Sequence, residues 1–154
     1  VFDYFGGAAD IAARRVRFIG DALKRIAEDH LRILRFFRFH ARFGAGAPDA
    51  DGLAACAARA NDLMALSRER VREELLKLLA VADPVPTLEV MFANGIFAPV
   101  LPELDAGRLS GLAALIAVEP NPAPVRRLAT LLNPEAAEAV GARLRLSNAE
   151  RKRL

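Results

Sequence analysis

From Asp21 to Phe43 the chain contains neither glycine nor proline, and its apolar residues recur with the period of a helix. Asp21 is suited to cap the start, and Gly44 and Gly46 end the run. The spacing predicts one continuous helix over 21 to 43. On a helical wheel Ile26, Ile33, Leu34 and Phe37 share one side, while Arg25, Glu28, Arg32 and Arg35 share the other. Phe36 and Phe39 fall near the charged side, so this helix is expected between two packed layers rather than on a free surface.

The rest of the chain is punctuated at similar intervals. Small residues from Asp51 to Leu66 predict a second helix able to pack closely, and Ser67 reads as the cap of a third, ending near Asp83-Pro84. A shorter helix is expected over 87 to 94, and three more near 106 to 118, 122 to 132 and 134 to 146, set apart by Pro120-Asn121-Pro122 and Asn133-Pro134. Residues 1 to 20 read as a loop leading into a short extended stretch at 16 to 19. No alternating strand pattern follows. The fold class is all-α, a multi-helix array with a short extended segment at its N-terminus and a seam near 83 to 86.

A chain of 154 residues with 53% hydrophobic and 27% charged residues forms one domain, or two small ones sharing an interface. No apolar run approaches the roughly 20 residues of a membrane span, so a soluble protein is expected. The lone Cys56 excludes an internal disulfide framework, and with only His30 and His40 beside it a structural zinc site is not expected. A reducing cytoplasm fits best. Both histidines read as packing residues. Lys24, Lys77 and Lys152 are the only lysines, so the net charge of +3 rests on arginine. Arginine's planar fork suits phosphate and base recognition, although a GC-rich genome produces the same bias. Because the first residue is Val1, a trimmed or processed chain is expected.

Position therefore has to carry the functional argument. Asp29 accepts hydrogen bonds and Arg32, three residues on, donates them from a fixed fork. Adenine and cytosine both present an amino donor beside a ring-nitrogen acceptor, and match such an edge. Guanine and uracil present a carbonyl beside a ring N–H, and would leave buried groups unpaired at about 1–3 kcal/mol each. The plainer alternative is that Glu28 with Arg32, and Arg25 with Asp29, are the i,i+4 pairs that decorate many helices for a few tenths of a kcal/mol.

A longer match separates these alternatives. D-Y-F-G-G-A-A-D-I at 3 to 11 and V-R-F-I-G-D-A-L-K-R-I-A-E-D-H-L-R-I-L-R-F-F-R-F at 16 to 39 resemble the hinge motif and the E-D-x-x-R nucleotide-recognition motif of the class II tRNA nucleotidyltransferase (CCA-adding) and bacterial poly(A) polymerase family. Further on, S-R-E-R-V-R-E-E-L-L-K-L-L at 67 to 79 resembles that family's E-R-x-x-x-E-L neck motif. His30 departs from the proline or aromatic residue found in many relatives.

The resemblance implies a hinge remnant at 1 to 20, a neck with the nucleotide-recognition helices at 21 to 83, and a helical body at 84 to 154 whose tail is truncated. Asp29 and Arg32 would then pair with the base of ATP or CTP, Glu28 would brace Arg32, and Arg35 would hold that network or approach the nucleotide. Glu69 and Arg70, with Glu74, would support the base-reading helix from its neighbour. Asp3, Gly7, Asp10 and Arg17 would form the hinge. The implied function is the base-recognition and tRNA-binding portion of an enzyme that transfers CMP and AMP from CTP and ATP to tRNA 3′ ends. Alternatives are a poly(A) polymerase fragment and a non-catalytic helical RNA-binding or protein-interaction module.

The family's Mg²⁺ ligands lie in an N-terminal head domain, so no metal is expected on this chain, no catalytic residue is assigned, and Asp3, Asp10 and Asp21 are not read as ligands. The expected partners are tRNA, ATP, CTP and the head domain, with no membrane and with oligomeric state left open. In the body, Arg126, Arg127, Arg143, Arg145, Arg151, Lys152 and Arg153 are candidates for phosphate contacts, which would be sensitive to salt.

Overall fold

The stretch from Asp21 to Phe43 folds as two helices rather than one. A computed structural model describes residues 2–154, and in it α2 (Ala22–Glu28) and α3 (Arg32–Phe43) are separated by a turn at Asp29, His30 and Leu31. Asp29 is extended, with φ −156° and ψ 107°. Its carboxylate accepts the Leu31 N–H at 3.1 Å, and its carbonyl accepts the Arg32 N–H at 3.0 Å. An aspartate that bonds to nearby backbone in this way offers the chain an alternative to the helix, which is why the run breaks without glycine or proline. The break turns Leu31 into the core, where it is 4% exposed.

The N-terminal segment also departs from expectation. Instead of a loop it contains a short helix, α1 (Gly7–Ala12), and the segment at 16 to 19 pairs with no strand. The Asp3 carboxylate holds the start of α1, accepting the Gly7 and Ala8 N–H groups at 2.7 and 2.8 Å. Phe18 stacks on Phe36 of α3, ring centroids 5.4 Å apart.

The elements beyond α3 follow their punctuation. Asp49 caps α4 (Ala50–Ala58), a 3₁₀ turn covers 60 to 65, and the Ser67 hydroxyl caps α5 (Arg68–Leu79) by accepting the Arg70 N–H. The small residues of α4 matter at Gly52, where an added Cβ would stand 2.8 Å from the Phe36 ring. Then come α6 (Val85–Ala93), α7 (Leu109–Val118), α8 (Pro124–Thr130), α9 (Pro134–Arg143) and α10 (Asn148–Arg151). Prolines occupy the first turns of α6, α8 and α9, where a missing N–H is tolerated. The sequence reading missed α10, although S-N-A-E at 147 to 150 makes a capping box: Ser147 accepts the Glu150 N–H and Glu150 accepts the Ser147 N–H. Among the described residues the only β pairing is an isolated bridge between Leu104 and Leu132, so the fold is all-α. No helix among them is long and apolar enough to cross a membrane.

One continuous core runs from Ile26 and Phe37 through Leu79, Leu88 and Met91 to Leu112, Leu128 and Val140. It passes without interruption beneath 83 to 86. That region is also pinned by Arg127 of α8, which is 1% exposed. Its Nη1 donates to the carbonyls of Leu79 and Val81 at 2.7 and 2.5 Å, and its guanidinium pairs with Glu119. A buried cation is tolerable only when matched this fully.

Candidate nucleotide-recognition site

The turn between α2 and α3 gathers the charged residues into two separate sets. In the first, the Glu28 carboxylate accepts from Arg32 at 2.5 Å and from Arg25 at 2.6 Å. Arg32 also donates to the Arg25 carbonyl at 2.8 Å, a carbonyl freed by the end of α2. Both Arg32 bonds use Nη1, so Nε and Nη2 have no intramolecular partner among the described residues. Arg32 is therefore held in place with donors to spare. The hydrogen bond from Arg32 holds the Glu28 carboxyl below the ordinary glutamate range.

The second set centres on Asp29. Arg70 Nη2 donates to both of its oxygens at 3.1 Å, reaching across from the first turn of α5. Burial alone would raise the Asp29 pKa; the Leu31 N–H and the Arg70 guanidinium outweigh it and hold the carboxyl below the usual range. No direct side-chain bond joins Asp29 to Arg32 among the described residues. Glu74, 3% exposed, accepts from Arg35 at 3.3 Å and from Arg38 at 2.6 Å. Arg70 and Glu74 thus reach the α2–α3 unit from α5, whereas Glu69 turns away and pairs with Arg145.

Beside the Glu28–Arg32 brace lies a cavity of about 270 Å³. Arg25, Arg32 and Arg35 line it with Phe36 and Phe39, and residues 16 to 19 complete the lining. Its size, at the lower limit of small-molecule pockets, suits a base better than a whole nucleoside triphosphate. Asp29 is not among its lining residues.

The expected hinge residues interlock. Asp10 accepts from Arg15 and from Arg17, at 2.7 Å each, and Arg17 also donates to the Phe5 carbonyl at 2.6 Å. Gly7 stands over the Asp3 carboxylate, and its neighbour Gly6 takes the left-handed φ of 75°. Sequence reasoning missed Arg14, whose guanidinium donates to the carbonyls of Phe43 and Gly44 and so clips α1 to the end of α3. Neither its φ of 50° nor that contact has a sequence signal. Arg38 was missed as well, although its position three residues after Arg35 puts both on one face.

The body candidates divide. Arg127 is buried and fully used, which removes it as a phosphate contact. Arg143 and Arg145 are paired with Glu103 and Glu69, and Arg151 lies 3.6 Å from Glu138. Arg126, Lys152 and Arg153 are exposed and without an ion pair among the described residues. His40 is buried against Gly44, and desolvation lowers its pKa. His30 is half-buried in the turn, 3.7 Å from Asp62. The described residues contain no group of three or more His, Cys, Asp or Glu able to hold a metal ion, so no step through Mg²⁺ is derived from them.

Residues 48–107, from the start of α4 to the approach to α7, match the family model for the probable RNA and SrmB-binding site of polymerase A. Over 98% of its length the chain is 34% identical to a CCA tRNA nucleotidyltransferase 1, mitochondrial, of Danio rerio, covering 36% of that protein. It is 44% identical to a Multifunctional CCA protein of Burkholderia mallei over 69% of the chain and 25% of that protein. A Mus musculus CCA tRNA nucleotidyltransferase 1, mitochondrial, is 48% identical over 51% of the chain and 19% of its own length. The chain belongs to the family of CCA-adding tRNA nucleotidyltransferases and poly(A) polymerases. It spans about a third or less of the length of these relatives.

Proposed function

We propose that this chain is the base-recognition and tRNA-binding portion of a CCA-adding nucleotidyltransferase, whose whole protein transfers CMP and AMP from CTP and ATP to tRNA 3′ ends. The observation that carries this reading is the Arg32 brace beside a base-sized cavity. Glu28 and the Arg25 carbonyl hold one nitrogen of Arg32 and leave the others free to donate. Asp29 lies outside the cavity lining with both oxygens on Arg70, and it becomes the acceptor when its carboxylate turns from Arg70 to an incoming base. Together they select a base with an amino donor beside a ring acceptor, which excludes guanine and uracil. Phe36 and Phe39 offer the base its apolar walls, and Arg35 stands at the rim. Asp3, Gly7, Asp10 and Arg17 form the flexing connection to a head domain that brings the Mg²⁺ chemistry.

The names of the relatives and the RNA-binding description of the model over 48–107 support tRNA as the partner. Arg126, Lys152 and Arg153 are the body cations free to meet its phosphates. The polymerase A in that model's description keeps poly(A) addition as the second reading. The compartment we propose is a reducing one, the cytoplasm, because the chain's single cysteine, Cys56, is a free and buried thiol.

The test uses the protein that contains this chain together with its head domain, supplied with a tRNA lacking its CCA end. Addition of C and then A supports the first reading; A alone supports poly(A) addition. Asp29→Ala and Arg32→Ala should relax or abolish the selection. Unchanged discrimination against GTP and UTP in both variants would sink the assignment.

A further inference from the structure

Four residues apart on α3, Phe39 and Phe43 remain 39% and 52% exposed. Their rings stack, centroids 6.2 Å apart and planes inclined by 30°. The Arg38 guanidinium lies over the Phe39 ring at 4.4 Å, and that of Arg42 over the Phe43 ring at 5.2 Å. Next to them, between the end of α3 and the end of α5, is a groove of about 650 Å³ bordered by Arg38, Arg42 and Lys77. Glu74 neutralises Arg38, but Arg42 and Lys77 have no acidic partner among the described residues. Asp83 is the groove's one carboxylate. Phe39 also lines the base-sized cavity, so the aromatic strip and the cavity share a wall.

We propose that this strip binds the unpaired 3′ end of an RNA strand, with Phe43 and Phe39 as stacking platforms and Arg42 and Lys77 meeting its phosphates. The inference rests on the RNA-binding reading above and gives it a surface. Aromatic rings set among free cations are what a single strand requires: each base has a face to stack and each linkage a charge to neutralise. The core of a protein interface, by contrast, is depleted of charge, and here a guanidinium lies over each ring. Position adds a further argument. A strand end to be extended has to lie beside the incoming base, and Phe39 stands between the two.

The experiment titrates the chain with two labelled RNA hairpins, an acceptor-stem helix with an unpaired 3′ overhang and the same helix made blunt. Phe43→Ala should weaken overhang binding roughly tenfold and leave the blunt hairpin unchanged. Arg42→Ala with Lys77→Ala should lower the salt slope for the overhang hairpin by about 1.4, at about 0.7 per phosphate. Because the chain has no tryptophan, Phe43→Trp gives a direct reporter: it should retain affinity, and the overhang should quench its indole emission while the blunt helix does not. Equal losses on both hairpins, no loss from Phe43→Ala, or an indole emission in Phe43→Trp that ignores the overhang would overturn the proposal and leave the RNA-binding reading standing. Unchanged RNA affinity with an altered association state would assign the strip to a protein contact instead. Failure of the unsubstituted chain to bind either hairpin would overturn both.

Discussion

Arg32 and Arg127 are the same residue used in opposite ways. At the α2–α3 turn, Arg32 is tied by one nitrogen to Glu28 and to a backbone carbonyl, keeps spare donors, and borders a cavity. At the α5–α8 junction, Arg127 is 1% exposed and spends its guanidinium on Glu119 and on carbonyls at the end of α5. The first arrangement fixes direction and leaves valence for a ligand; the second leaves nothing over. An arginine's role in this fold therefore follows from how many of its donors the chain itself satisfies.

Substitutions can break that contrast. The largest effect is expected from Arg127→Ala, which strands Glu119 and the carbonyls of Leu79 and Val81 in the core. Loss of one partner from a buried pair costs about 3–5 kcal/mol, read by urea unfolding. Glu74→Ala should come next, at about 1–3 kcal/mol, because it removes the buried acceptor while Arg35 and Arg38 can still reach water.

Smaller again is the acid dependence of Asp29. Its folded pKa lies below the unfolded value, so the stabilisation is complete above about pH 3.9 and is lost as pH falls through the lower folded value. Unfolding curves taken across that range should show a shallower acid loss in Arg70→Ala. The smallest effect belongs to Arg32→Ala, a change within about 1 kcal/mol because its pair with Glu28 is half-exposed. If Arg32→Ala proved as destabilising as Arg127→Ala, the distinction between the two arginines would collapse.

How far each feature could be read in advance follows the range of the interactions that make it. The Ser67 cap and the proline starts are local, and the sequence shows them directly. Glu28 and Arg32 were also legible, since residues four apart meet even across the turn that interrupts their helix. The turn itself was not, because the Asp29 carboxylate that bonds the Leu31 N–H locally is also held by Arg70, 41 residues away. Helix periodicity carries no trace of such a partner. The wheel put Phe36 near the charged side, yet the structure buries it against Phe18 and Gly52, as a helix between two layers requires. Arg127 looked like surface charge because its acceptors are main-chain carbonyls, which every sequence has and no sequence pattern marks.

Those acceptors set an order of events during synthesis. The Ala82 carbonyl lies 45 residues before the Arg127 side chain that caps it. At roughly 5–20 residues per second, a ribosome needs about 2–9 s to make that stretch. Through that interval the carbonyls of Val81 and Ala82 lack their cation, and α5 lacks the helix α8 that packs on it. A translational pause between α6 and α8 would lengthen the exposure of Leu78 and Leu79, and speed through this segment becomes a property of the message as well as of the protein.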